Sequence, residues 1–250
     1  MARRSVARSS QVPFLHEKQI EREADALLGE YGERFETIIE PPVPIDEIIE
    51  IHLQLTFDVA DLQQVFDAGD VHGAIWINEG RIAVDKSLDP TANPRKLGRY
   101  RFTLAHETGH WRLHRGHYLK NTQQQSLFEY EGKPSFICRS NDSQPVEWQA
   151  NAFAAYLLMP RKMVHAAWEA WRGDLDSVVI DDLRSQKQQI RPKDVDRLNE
   201  MTLGDDATDN ILFETFCRPI ANRFEVSAQA MRIRLEQLGM LLRKKENLLF

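Results

Sequence analysis

Cysteine is scarce: Cys138 and Cys217 are the only two in 250 residues, and neither belongs to a C-x-x-C pair. That excludes a disulfide framework, gives no sign of a thiolate zinc site, and leaves reduced thiols in a cytoplasm as the expectation. Long apolar runs are absent too. No stretch approaches the length needed to span a bilayer, and Arg3, Arg4 and Arg8 lie among Ser and Ala without the apolar core of a signal peptide. Neither export nor a membrane anchor is expected. An excess of positive charge is also missing, since 38 Asp and Glu outnumber 32 Lys and Arg for a formal net charge of -6. General affinity for nucleic acid therefore has no basis, and a basic partner surface is mildly favoured. Internal repeats and low-complexity tracts are lacking as well.

What is present suits a folded protein. A hydrophobic content of 42% over 250 residues can bury one sizeable core beside a small satellite domain. Residues Met1 to about Pro13 have little to bury and are expected to be disordered. Ile20, Ala24, Leu27 and Leu28 recur at helical spacing within Glu17 to Tyr31. Pro41, Pro42 and Pro44 then interrupt helix, because proline lacks an amide donor, and a short helix is expected over Asp46 to His52. The runs Leu53–Phe57, Gly73–Ile77 and Arg81–Asp85 are rich in β-branched, leucine and aromatic residues and predict a small sheet, with a hairpin at Asn78-Glu79-Gly80. Two helices follow, from about Arg95 to His114 and from about Glu147 to Met159, ended by Pro160. Gly173 to Asp209 is polar enough to be an exposed connector, and Ile211 to Leu242 is helical again.

The chemistry concentrates in His106-Glu107-Thr108-Gly109-His110, an H-E-x-x-H motif. On a helix, residues i and i+4 stack one turn apart on one face, so two imidazoles can converge on one ion with Glu107 beside them. Neutral imidazole is a good zinc ligand, and a carboxylate not used as a ligand can take a proton from water. Phe102, Leu104, Ala105 and Trp111 give the motif helix a buried flank. A catalytic zinc needs a third protein ligand. The extended motif would require glycine at 113 and histidine at 116, where this chain has Leu113 and Gly116. His114 lies a further turn along and is read as a packed or hydrogen-bonded helix residue. Glu147 could be a ligand or simply an acid favoured by the helix dipole, and spacing leaves both open. Tyr156, His117 and Tyr118 are possible oxyanion donors, none of them singled out. The strand Gly73 to Ile77 could take up an extended substrate as an added strand, although a core strand is the plainer reading.

The run Arg101 to His110, the pattern Glu147-x-x-Ala-Asn-x-Phe-Ala and the run Leu157-Leu-Met-Pro160 closely resemble the ImmA/IrrE family of metallopeptidases. Ile82–Asp85, Phe224–Ser227 and Arg234–Gly239 extend the resemblance, which spans roughly Glu17 to Leu242. It implies Glu147 as the third zinc ligand beside His106 and His110, as in thermolysin, with Glu107 as the catalytic base. It also places Asn151 where an acceptor orients a zinc histidine, with a plain helix-surface position as the alternative. The implied fold is α+β: a small, mostly antiparallel sheet packed on a zincin-type helix pair, with a helix-turn-helix-like C-terminal subdomain. The corresponding plan is a leader at 1–15, a zinc metallopeptidase domain at 16–172, a polar connector at 173–209 and a helical subdomain at 210–250. The implied substrate is a helix-turn-helix transcriptional repressor whose cleavage derepresses mobile-element or stress-response genes. Arginines in Ile220–Leu235 keep a second reading open, a DNA-binding regulator with a non-catalytic metal site.

Overall fold

The computed structural model describes residues 12–122, 132–139, 142–186 and 205–244. Most of the expected leader, and the part of the expected connector at 187–204, lie outside the described residues. The chain divides into two compact units, Met1–Pro160 and Arg161–Phe250.

In the first unit, helix α1 spans Glu17–Arg34 and buries Ile20, Ala24 and Leu27 of the expected stripe, with Tyr31 buried and Leu28 only half-buried. The Gln19 side chain accepts a hydrogen bond from the His16 amide at 3.0 Å and closes the N-terminal turn. Helix α2, Ile45–Glu47, runs on as a π-turn, Ile48–His52. Four strands follow: β1 (Thr56–Ala60), β2 (Val71–Trp76), β3 (Arg81–Asp85) and, much later, β4 (Phe136–Arg139). Their order is β1-β3-β2-β4, with β1 parallel to β3 and the other two pairings antiparallel. The β2–β3 hairpin forms at the expected place, where Gly80 adopts the positive φ of 60° that its turn requires. Strand β4 has no counterpart in the sequence reading.

Strand β2 is buried on both faces, which explains its near-continuous apolar texture. Ala74 and Trp76 pack with Ala83 of β3 against Leu62 of the short helix α3 (Leu62–Val65). A register shift between Val71 and Gly73 brings Val71 to that same cluster. Gly73 turns to the other face, towards Thr103 and Glu107. With β3 on one edge and β4 on the other, β2 has no edge left for an added substrate strand. Of the two readings of Gly73–Ile77, the structure supports the core strand.

Helix α4 (Leu97–Gly109) continues through a π-turn, His110–His114, into α5 (Arg115–Thr122), so the expected helix is longer and locally overwide. Helix α6 (Pro145–Leu158) crosses α4 and also packs on α1. Proline at its first turn costs no hydrogen bond, because that amide has no partner within the helix. Gly109 permits the crossing: a Cβ there would lie 3.1 Å from Ala150 Cα, 3.2 Å from Ala150 O and 3.3 Å from Phe153 Cβ.

The second unit contains α7 (Arg161–Arg172), β5 (Val178–Val179), α8 (Ile180–Gln186), the helices Asp205–Phe224 and Ala228–Gln237, and β6 (Leu241–Leu242), which pairs in parallel with β5. Trp168, Phe213, Cys217, Phe224, Met231 and Leu235 are buried in it. The Ser227 side chain caps the Ala228–Gln237 helix by accepting from the Ala230 amide. The two arginines of the second helix, on which DNA reading would depend, are turned inward. Arg234 is 2% exposed, and Arg232 is held by Glu214 at 3.1 Å and Glu236 at 2.7 Å. Among the described residues, no helix is long and apolar enough to cross a membrane.

Two glycine substitutions separate crossing geometry from helix propensity. Gly29 in α1 is exposed, with nothing within 4 Å of an added Cβ. Gly29→Ala should therefore stabilise the protein by up to about 1 kcal/mol. At Gly109 the same propensity gain is offset by crowding against backbone, which costs about 1–3 kcal/mol. Gly109→Ala should lower the urea midpoint without changing the slope, and an increase would show that α6 does not need this close approach.

Candidate metal centre

Helix α4 presents His106 at its last turn, and His110 opens the π-turn that follows. The imidazole centroids lie 4.8 Å apart at 74°, and the two Nε2 atoms are 3.1 Å apart. Glu147 enters from the first turn of α6. Its Oε2 lies 3.1 Å from His106 Nε2 and its Oε1 lies 3.4 Å from His110 Nε2. All three side chains are buried, and together they could hold a metal ion.

Outer partners set which nitrogen faces inward. His106 Nδ1 donates to Asn151 Oδ1 at 2.9 Å, an assignment made from the network, since an amide oxygen can only accept. That leaves His106 Nε2 facing Glu147 and His110, able to offer its lone pair to an ion in exchange for a proton. His110 Nδ1 lies 3.0 Å from His114 Nδ1. Burial, and then the neighbouring charge of His110, push His114 down to about 3, so it stays neutral and can accept the His110 Nδ1 proton. Phe136 stacks on the His110 ring at 4.2 Å and 11°, fixing its plane.

This arrangement fits a metal on two counts. Two nitrogen lone pairs and a carboxylate converge in a buried space, an arrangement that repels itself unless a positive charge lies between them. Ligands about 2.0–2.2 Å from a tetrahedral ion stand roughly 3.3 Å from one another. The observed separations of 3.1, 3.1 and 3.4 Å bracket that value.

The local electrostatics agree. Although burial raises Glu147, the His110 charge and the hydrogen bonds of both imidazoles hold it well below the usual carboxylate range. Burial also works against a charged His106, yet Cys138, Glu147 and Glu107 outweigh it and raise His106 well above its ordinary value. His110 moves the other way, since burial, opposed by Glu147, lowers it. Glu107 behaves differently: burial, opposed by His106 and helped by Glu147, pushes it up to about 8. Both of its carboxylate oxygens are buried without a hydrogen-bond partner.

The structure thus brings together His106, Glu107, His110 and Glu147, the four residues that the motif and the resemblance singled out. It places Asn151 on His106 and His114 on His110. Tyr118 and Tyr156 are buried, and His117 is half-buried. Two participants were missed. Gly73 leaves the room that Glu107 occupies, since a Cβ there would lie 2.7 Å from Glu107 Oε1 and 2.6 Å from Thr103 Cγ2. Cys138, on β4, has its sulfur within 4.8 Å of ligand atoms of His106 and Glu107. A glycine opening an otherwise apolar strand was the available signal for the first. The second emerges only from the pairing of β4.

Residues 81–236 match the peptidase family M78, described as the IrrE N-terminal-like domain. The match takes in more than half of the chain and every residue of the cluster, but not 17–80 at the start of the resemblance read from sequence. The search of curated proteins found no match.

Gly73→Ala should displace the Glu107 carboxylate while sparing the ligand atoms. Its expected signature is normal metal content by elemental analysis with activity reduced at least tenfold. Unchanged activity would show that Glu107 has another place to stand.

Proposed function

We propose, for a chain that belongs to the IrrE N-terminal-like M78 peptidase family and is a metallopeptidase of that kind, a zinc-dependent endopeptidase. In it His106, His110 and Glu147 hold the ion, and Glu107 is the general base and acid. The observation that carries this reading is the convergence of two imidazole lone pairs and a carboxylate at 3.1–3.4 Å beside a buried, unpartnered glutamate. Two nitrogens and one carboxylate oxygen are the donor set of catalytic zinc in metallopeptidases.

Bound zinc supplies Lewis acidity, polarising the scissile carbonyl and acidifying the attacking water. Glu107, ionised once the charge of a bound ion lowers its proton affinity, takes the proton from that water on a carboxylate oxygen. The same oxygen then delivers a proton to the leaving amine. Asn151 and His114 keep the two imidazoles in the tautomer that offers Nε2. A structural metal site has no use for an additional unpartnered carboxylate, which supports turnover over scaffolding.

The substrate proposed is a helix-turn-helix transcriptional repressor, cleaved in the cytoplasm to derepress mobile-element or stress-response genes. This rests on the family resemblance and on the acidic balance of 38 to 32, which suits a basic, DNA-binding partner. Burial of Arg232 and Arg234, and the ion pairs of Arg232 with Glu214 and Glu236, speak against the alternative, in which the protein itself reads DNA.

Glu107→Gln should keep zinc and lose cleavage of a repressor substrate by about 10²–10⁴-fold. Glu147→Ala should lose the metal itself, taking the content from about one zinc per chain towards none. Full cleavage by the Gln variant would sink the assignment of Glu107.

A further inference from the structure

Gln149 is a buried polar side chain to which neither the motif nor the proposed mechanism gives a task. It follows Glu147 by two residues on α6 and has no exposed surface. Its amide nitrogen donates to the Pro13 carbonyl at 3.4 Å, a long bond that reaches from α6 to the segment leading into α1. Phe14 holds that segment in place by stacking on Trp148, with ring centroids 5.6 Å apart at 13°. A carbonyl oxygen can only accept, so the Gln149 amide must turn its nitrogen to Pro13 and its oxygen the other way.

The oxygen is turned to His114. Gln149 Oε1 and His114 Nε2 are both buried, and among the described residues neither has another hydrogen-bond partner. Burial has the largest effect on His114 and lowers its proton affinity, while the Gln149 side chain works against it as a hydrogen-bond partner, which is the sign of an acceptor. The other ring nitrogen, His114 Nδ1, lies 3.0 Å from His110 Nδ1. Of two such nitrogens one must donate and the other accept. With its proton drawn to Nε2 by Gln149, His114 accepts at Nδ1. His110 then carries its own proton on Nδ1 and keeps Nε2 for an ion. In the opposite sense His114 would donate from Nδ1, and the His110 proton would sit on Nε2, where the ion belongs.

We propose that Gln149 is a positioning residue of the metal centre: its amide fixes the tautomer of His114 and, through it, the nitrogen that His110 presents. The Pro13 carbonyl sets the sense of the whole chain. This rests on the reading of His106, His110 and Glu147 as the metal site. From His110 through His114 and Gln149 to Pro13, every donor points away from the ion. Asn151 does the same for His106 in a single step, so α6 orients both histidines with side-chain amides, one directly and one at a remove. The segment before α1 thereby acts on metal affinity without touching a ligand.

The test compares the full-length protein with its Gln149→Met and Gln149→Glu variants. Methionine keeps the length and packing of glutamine but offers neither its oxygen nor its N–H. Glutamic acid, protonated in this buried place, keeps one acceptor and one donor. Nitrogen–proton correlation spectra of the isotope-labelled, zinc-loaded protein report which ring nitrogen of each histidine carries a proton, and competition with a chromophoric chelator reports zinc affinity. The expected wild-type result is a proton on Nε2 of His114 and on Nδ1 of His110. Zinc binding should weaken about 10–100-fold in Gln149→Met and largely recover in Gln149→Glu. A side chain that merely fills space would give the reverse order. A proton on Nδ1 of His114 in the wild type, or unchanged zinc affinity in Gln149→Met, would overturn the proposal and leave the three-ligand site standing. Failure of the wild type to bind zinc at all would overturn the metal site and this proposal with it.

Discussion

Everything that sets this site apart depends on how closely α6 approaches α4. Glu147 faces His106 and His110 only because Gly109 lets the backbone at Ala150 come within contact distance of α4. The crossing also delivers Asn151 to His106 one turn further along. One missing side chain thus governs an anionic ligand and a histidine tautomer together. The sheet supplies the matching constraint from the other side, where Gly73 leaves a hollow for Glu107 and β4 brings Phe136 onto His110. The cluster is gripped between a helix crossing and a strand pairing, and both depend on glycine where any Cβ would intrude.

The π-turn beginning at His110 belongs to the same design. It widens the helix immediately after the motif, and His114 Nδ1 comes within 3.0 Å of His110 Nδ1. His114 thereby serves His110 as Asn151 serves His106. The two differ in kind: Asn151 presents an amide oxygen that can only accept, whereas His114 accepts because burial keeps it neutral. Each imidazole is fixed through its outer nitrogen, so the inner nitrogens are presented before any ion arrives.

Much of this was legible in the sequence where the determining interaction is local. The i, i+4 spacing of His106 and His110 is a property of one helix turn, and the stripe on α1 and the hairpin at Gly80 are equally short-range. Glu147 was ambiguous, because an acid in a first helical turn suits the dipole as well as a metal; only the resemblance to a family favoured the ligand over the dipole. Gly73, Cys138 and the strand Phe136–Arg139 owe their roles to a pairing between segments distant in sequence, and periodicity within a short window carries no information about register. Helix Arg161–Arg172 was not read either, although its apolar stripe is local. The arginines of Ala228–Gln237 misled for a related reason: composition shows charge, but not that Glu214 and Glu236 turn Arg232 inward.

Charge balance ties the fold to its occupant. Two glutamates, Glu107 and Glu147, are buried in groups that share His106, a costly arrangement for two anions in a poorly polarisable interior. Without a cation, protons must do the neutralising: the environment raises His106 and Glu107 so that both favour their protonated forms, while Glu147 stays ionised. A divalent ion would take over that role, displacing the proton from His106 and lowering the proton affinity of Glu107 as its neighbourhood turns positive. Loading the site then releases protons, so metal affinity rises with pH until the ligands are fully deprotonated. The carboxylate that makes the empty cluster uncomfortable is the same one left free to do chemistry once the cluster is filled.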